Sequence, residues 1–141
     1  MTAQPPRGAV LLEALVGAVV FALAALAIVA FQARAAQALH HAHFRGEAQQ
    51  LAHAVLARMH ASDNATLYAD FDMRAGGAGY LAFDAQAQRL PGVDATHLAP
   101  ELLVTAGPSA ASRAAAVTVQ WRLPGEAAAH RYSTTAVVGG R

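Results

Sequence analysis

The sequence predicts an α+β fold: a long N-terminal α-helix, transmembrane in its first half and amphipathic in its second, packed on a small antiparallel β-sheet. Three observations predict it. The first is a run from Ala9 to Phe31 with one charged residue, Glu13. The second is an apolar stripe, Phe44, Leu51, Val55 and Met59, that continues the helical period beyond that run. The third is strict alternation near the C-terminus, where Val117, Val119 and Trp121 are interleaved with Thr118, Gln120 and Arg122.

The chain has 141 residues, room for one small domain, or for a long element plus a smaller domain. All 10 basic residues are arginine and the net charge is +1, so no charge excess directs the molecule to nucleic acid. There is no cysteine, which excludes disulfides, thiolate metal sites and a cysteine nucleophile.

Residues 1–8 are polar, and Pro5 and Pro6 bar a helix there. From Ala9 to Phe31, at about 1.5 Å per residue, a helix would cross a hydrocarbon core of about 30 Å. The spacing extends the helix through the amphipathic part, 32–61, to a stop at Ser62-Asp63-Asn64, residues that compete with helix for backbone partners. Residues 62–141 hold the loop and the sheet. Gly76-Gly77 and Gly79 read as a turn or mobile loop, and Tyr80-Leu81-Ala82-Phe83 as a short strand. Leu102 and Val104 precede the turn at Gly107-Pro108. The Val117 run follows, then Pro124-Gly125, then a second alternating run through Tyr132, Thr134, Ala136 and Val138. One face of this hairpin or meander is apolar, and the stripe Phe44, Leu51, Val55, Met59 is its natural cover.

A secretory signal peptide fits the N-terminus poorly. The apolar run exceeds the usual core of about 7–15 residues and continues unbroken into the amphipathic helix. A plain single-pass anchor leaves Glu13 as a cost near the interface. Cleavage between Gly8 and Ala9 gives the glutamate a purpose. It creates an amino group at Ala9, four residues before Glu13 and on the same helical face. The ammonium and the carboxylate could pair within one chain or between neighbours.

The stretch Gly8-Ala9-Val10-Leu11-Leu12-Glu13 resembles the processing motif of type IV prepilins: a short basic leader ending in glycine, then a small or aromatic residue, a hydroxyl residue, two aliphatics and glutamate. Gly8, Leu11, Leu12 and Glu13 match. Ala9 stands where phenylalanine is usual, and Val10 where Ser or Thr is usual. Phe31-Gln32-Ala33-Arg34, the segment from Leu51 to Ala61 and the Val117–Trp121 run are similar to the minor pilins of the PilV, or type IV pilus modification, family.

The resemblance implies a leader over 1–8, cleavage at Gly8 and Ala9 by a prepilin peptidase, and N-methylation of Ala9. It implies Glu13 as the assembly salt bridge, and a long curved helix carrying a small sheet. It also implies an inner-membrane protein with a periplasmic C-terminal domain. Its partners would be membrane lipid, the assembly platform and other pilins, and its end point a cell-surface fimbrium. A minor pseudopilin of a type II secretion system suits Phe21–Ala27 equally well. A membrane-tethered ligand-binding or adhesin module is the alternative of another class.

Other chemistry is weakly signalled. His40, His43 and Glu47 share a helical face, but a solvent-facing helix carries such residues without a metal, and no metal or cofactor is expected. No G-x-S-x-G, H-E-x-x-H or phosphate-cradling loop occurs, so an enzyme is not expected. Asp70 and Asp72 read as solvated turn residues, and Trp121 and Tyr132 as core. No basic cluster with interleaved aromatics indicates nucleic acid.

Overall fold

The computed structural model describes residues 7–94 and 96–139. Most of the expected leader, residues 1–6, lies outside them. The chain divides into two units, 1–41 and 42–141. The first helix, α1 (Arg7–Ala61), runs through both. It begins two residues before the predicted start, because a proline restricts the residues before it and not those after. Past that point alanine and leucine dominate, and only Gly8, Gly17 and Gly46 weaken the helix. It ends where the Ser62 hydroxyl donates to the Arg58 carbonyl at 2.9 Å and the Ser62 N–H donates to Met59 at 3.2 Å, closing a tighter last turn. Arg58 and His60 sit in that turn, where the helix dipole favours positive charge.

Unit 42–141 is an α+β fold of the predicted kind. Residues 42–61 of α1 pack on a three-stranded antiparallel sheet. Two short helices intervene in the chain, α2 (Leu67–Phe71) and α3 (Ala78–Ala87). The strands are β1 (Glu101–Ala106), β2 (Ser112–Trp121) and β3 (His130–Gly139), in sheet order β1-β2-β3. The register pairs Val104 with Ala115, Val117 with both Leu102 and Thr134, and Val119 with Tyr132. The inner face is Leu102, Val104, Ala115, Val117, Val119, Trp121 and Val138, all buried. α1 supplies Ala48, Ala52, Val55, Leu56 and Met59 to the same cluster, and α2 and α3 add Leu67, Phe71 and Phe83.

One sequence expectation in the linking region is corrected. Tyr80–Phe83 is helical, not a strand. Phe83 and Ala87, one turn apart, both turn into the core while Ala85 between them is exposed, a pattern that fits a helix and not a strand, where all three would share a face. Gly76 lies in the expected turn, at a φ of 64°, and Gly77 and Gly79 make a close crossing. A Cβ at Gly77 would run into the Ala69 carbonyl, and one at Gly79 would lie 2.6 Å from the Phe71 ring. Glycine there lets α3 start directly against α2.

Candidate assembly site

In unit 1–41, α1 carries an almost unbroken apolar surface. Every large side chain from Val10 to Phe31 is exposed, and the segment's mean hydropathy reaches 2.8 over an 18-residue window. This helix is long and apolar enough to cross a membrane. Gly8 and Ala9 lie in its first turn, both exposed, and a side chain at Gly8 would meet nothing within 4 Å. Glu13 is exposed on the same helix, one turn beyond Ala9.

In unit 42–141, the four predicted packing residues divide. Val55 and Met59 are buried, at 3% and 0% exposure. Phe44 and Leu51 are half-buried at the margin of the core. The centre of the face is instead the pair of alanines, Ala48 and Ala52, both fully buried. Their small side chains let the helix backbone approach the core closely. A hydrophobic stripe read by bulk passes over alanine in a chain so rich in it. Nearby, His43 Nε2 stands 3.3 Å from Glu47 Oε1, an ordinary one-turn pair.

The residue that sequence reasoning placed wrongly is Asp72. It is not a solvated turn residue; it is fully buried. Arg74 grips it twice, Nε to Oδ1 and Nη2 to Oδ2, each at 2.9 Å. The Arg74 backbone N–H donates to Oδ1 at 2.9 Å, and the Val104 N–H to Oδ2 at 2.8 Å. The Arg74 guanidinium holds this carboxyl well below the usual carboxylate range; burial opposes the shift, and the two backbone donors reinforce it. Asp72 in turn raises Arg74 further above its ordinary value. Arg74 also lies over the Tyr68 ring, 5.7 Å from its centroid.

The Asp72 carboxylate therefore ties the end of α2 to β1, with the Met73 N–H donating to the Leu102 carbonyl at 2.8 Å beside it. The available signal was the spacing D-x-R: residues two apart share a side when the chain is extended. At the other end of the sheet, Trp121 is buried and stacks on His130 with ring centroids 5.5 Å apart; His130 Nε2 is 2.6 Å from Glu126 Oε2. Tyr80, half-buried, donates its hydroxyl to the Pro100 carbonyl at 3.1 Å, and burial pushes its phenol up.

No protein-family model, no curated protein and no solved structure matches this chain.

Proposed function

We propose that the chain is a minor pilin subunit of a type IV pilus, made as a prepilin and anchored by α1 in the bacterial inner membrane before assembly. One observation carries this reading: a single carboxylate, Glu13, stands one turn from Ala9 in the apolar segment that follows Gly8, residues 9–31, whose large side chains are all exposed. An unpaired charge in hydrocarbon costs several kcal/mol by order of magnitude. Cleavage after Gly8 places an ammonium where that carboxylate can use it. The exposed apolar surface then serves twice, first against lipid and then against the helices of other subunits. Residues 42–141, with their sheet and helical cover, are the part that faces the periplasm. The partners are a prepilin peptidase, an inner-membrane assembly platform and other pilins.

The test is processing. Gly8→Val places a β-branched side chain at the residue before the cut, where a peptidase must approach the backbone closely. Intact-mass measurement of membrane-extracted protein, made in cells that contain the peptidase, is expected to find the wild-type chain starting at Ala9 and the variant with its leader attached. A wild-type chain that keeps Met1 through Gly8 removes the reading.

A further inference from the structure

The outer edge of β1 is met at its middle by residues 72 and 73 and is open beyond them. The Gly107 N–H donates to the Ser112 carbonyl at 3.0 Å, which sets the odd-numbered residues of β1 toward β2 and the even-numbered ones outward. Two of the outward groups are taken: the Met73 N–H donates to the Leu102 carbonyl, and the Val104 N–H donates to Asp72 Oδ2. In the second case a side-chain carboxylate stands where a neighbouring strand would place a carbonyl. Beyond it the Val104 carbonyl and the Ala106 N–H point outward, and no partner meets them among the described residues. They face an open groove of about 550 Å³ lined by Tyr68, Arg74, Val104, Thr105, Ala106 and Arg113.

The charges in the groove are unbalanced. Asp72 answers Arg74. Arg113 donates only to the backbone carbonyl of Ser112, at 3.3 Å, and no carboxylate pairs with it among the described residues. Arg113 stands opposite Ala106 in the register, and both line the groove. Arg74 is already fixed by two bonds to Asp72 and by the Tyr68 ring, so little side-chain freedom is lost when its remaining N–H groups bind something.

We propose that this groove binds an extended peptide segment of a partner protein carrying an acidic side chain. Its backbone adds to the free end of β1, and its carboxylate sits between Arg113 and Arg74. An open strand edge offers alternating donor and acceptor, which a peptide backbone matches and a small anion does not. An unanswered guanidinium beside it selects a carboxylate, through charge-assisted bonds. The inference rests on residues 68–113 and holds whether or not the chain is a pilin.

The experiment uses the full chain in detergent micelles and two capped, fluorescein-labelled pentapeptides, Thr-Val-Asp-Val-Thr and Thr-Val-Asn-Val-Thr, read by anisotropy. The aspartate peptide is expected to bind about tenfold more tightly than its asparagine twin, with the gap closing as salt rises. Arg113→Gln is expected to abolish the difference, and Arg131→Gln, on β3, to leave it. Equal binding of the two peptides to the wild-type chain overturns the proposal and requires no variant to fold. So does an unchanged preference in Arg113→Gln whose circular dichroism matches wild type. Displacement of the peptide by acetate at the peptide's own concentration also overturns it, since the groove would then be a site for small anions only.

Discussion

Asp72 shows how much one side chain can hold. It closes the α2 end onto β1, satisfies the Val104 N–H and orients Arg74. Its carboxyl is depressed in the folded protein from an ordinary value of 3.8. A group whose folded value is lowered contributes stability above its unfolded value and loses it as pH falls toward the folded one. The domain is therefore expected to weaken below about pH 4 in part through Asp72. Asp72→Asn keeps an oxygen for Val104 but gives up the charge. Its cost at neutral pH is expected to be about 1–3 kcal/mol, shrinking as the solution is acidified. Thermal melts of both proteins at neutral and at acidic pH, followed by near-ultraviolet circular dichroism of Trp121, measure this. Parallel loss in the two proteins would assign the acid sensitivity to other groups. The D-x-R spacing in FDMR signals the pair with Arg74 but not its burial, because burial of a charge is decided by what packs over it, here β1 and α2, and not by its immediate neighbours.

Among the elements, α1 beyond residue 42 does most to define the core, and its face carries a graded expectation. Met59 is fully enclosed, so Met59→Asp places an unpaired charge among Leu, Phe and Val side chains and is expected to unfold the domain. Leu51 lies at the margin, beside a groove it shares with Gln86 and Arg89. An aspartate there keeps access to water and a nearby arginine, and the expected loss is smaller, below the roughly 1.5–3 kcal/mol of a fully buried leucine. Denaturant melts of the two variants rank them; equal loss would move the centre of the core toward residue 51.

The strands were legible because Val117, Val119 and Trp121 alternate with polar residues and only one sheet face is buried. α3 was not, since Tyr80-Leu81-Ala82-Phe83 has no polar alternation to set its period; its burial spacing, Phe83 with Ala87, exists only once the core does. For the candidate assembly site, the apolar run and Glu13 could be read directly, as residues 9–31 need no tertiary contact to reveal their character.

For the whole molecule, the expectation concerns Glu13, at the end of the chain where no globular packing explains it. As a bare lipid-facing group it would be a cost, and Glu13→Gln should then be harmless. On the proposed reading, as the counter-charge of a new amino terminus, it should leave two things intact when replaced: leader removal, which would depend on Gly8, and membrane residence, since the helix only becomes more apolar. Incorporation into filaments should fall, because removing one partner of a buried pair costs about 3–5 kcal/mol. Quantifying the variant in sheared surface filaments against the membrane fraction tests this. Wild-type recovery of Glu13→Gln in filaments would show that the carboxylate makes no assembly contact. The proposed β1 groove lies in the other unit, so its peptide binding should be unaffected by this change.

The strand order β1-β2-β3 has a kinetic consequence. Each strand pairs with its sequence neighbour across a short turn, residues 107–111 and then 122–129. Closing such loops costs little chain entropy, and hairpins of this kind form in about 1–10 μs. The distant closure is between residues 48–59 of α1 and the inner face of β2, with α2, α3 and β1 between them in the chain. That step, not strand pairing, is therefore expected to limit how fast residues 42–141 fold. During synthesis the apolar face of α1 leaves the ribosome well before the strands that cover it, so Val55, Leu56 and Met59 are the side chains a nascent chain must keep from other partners.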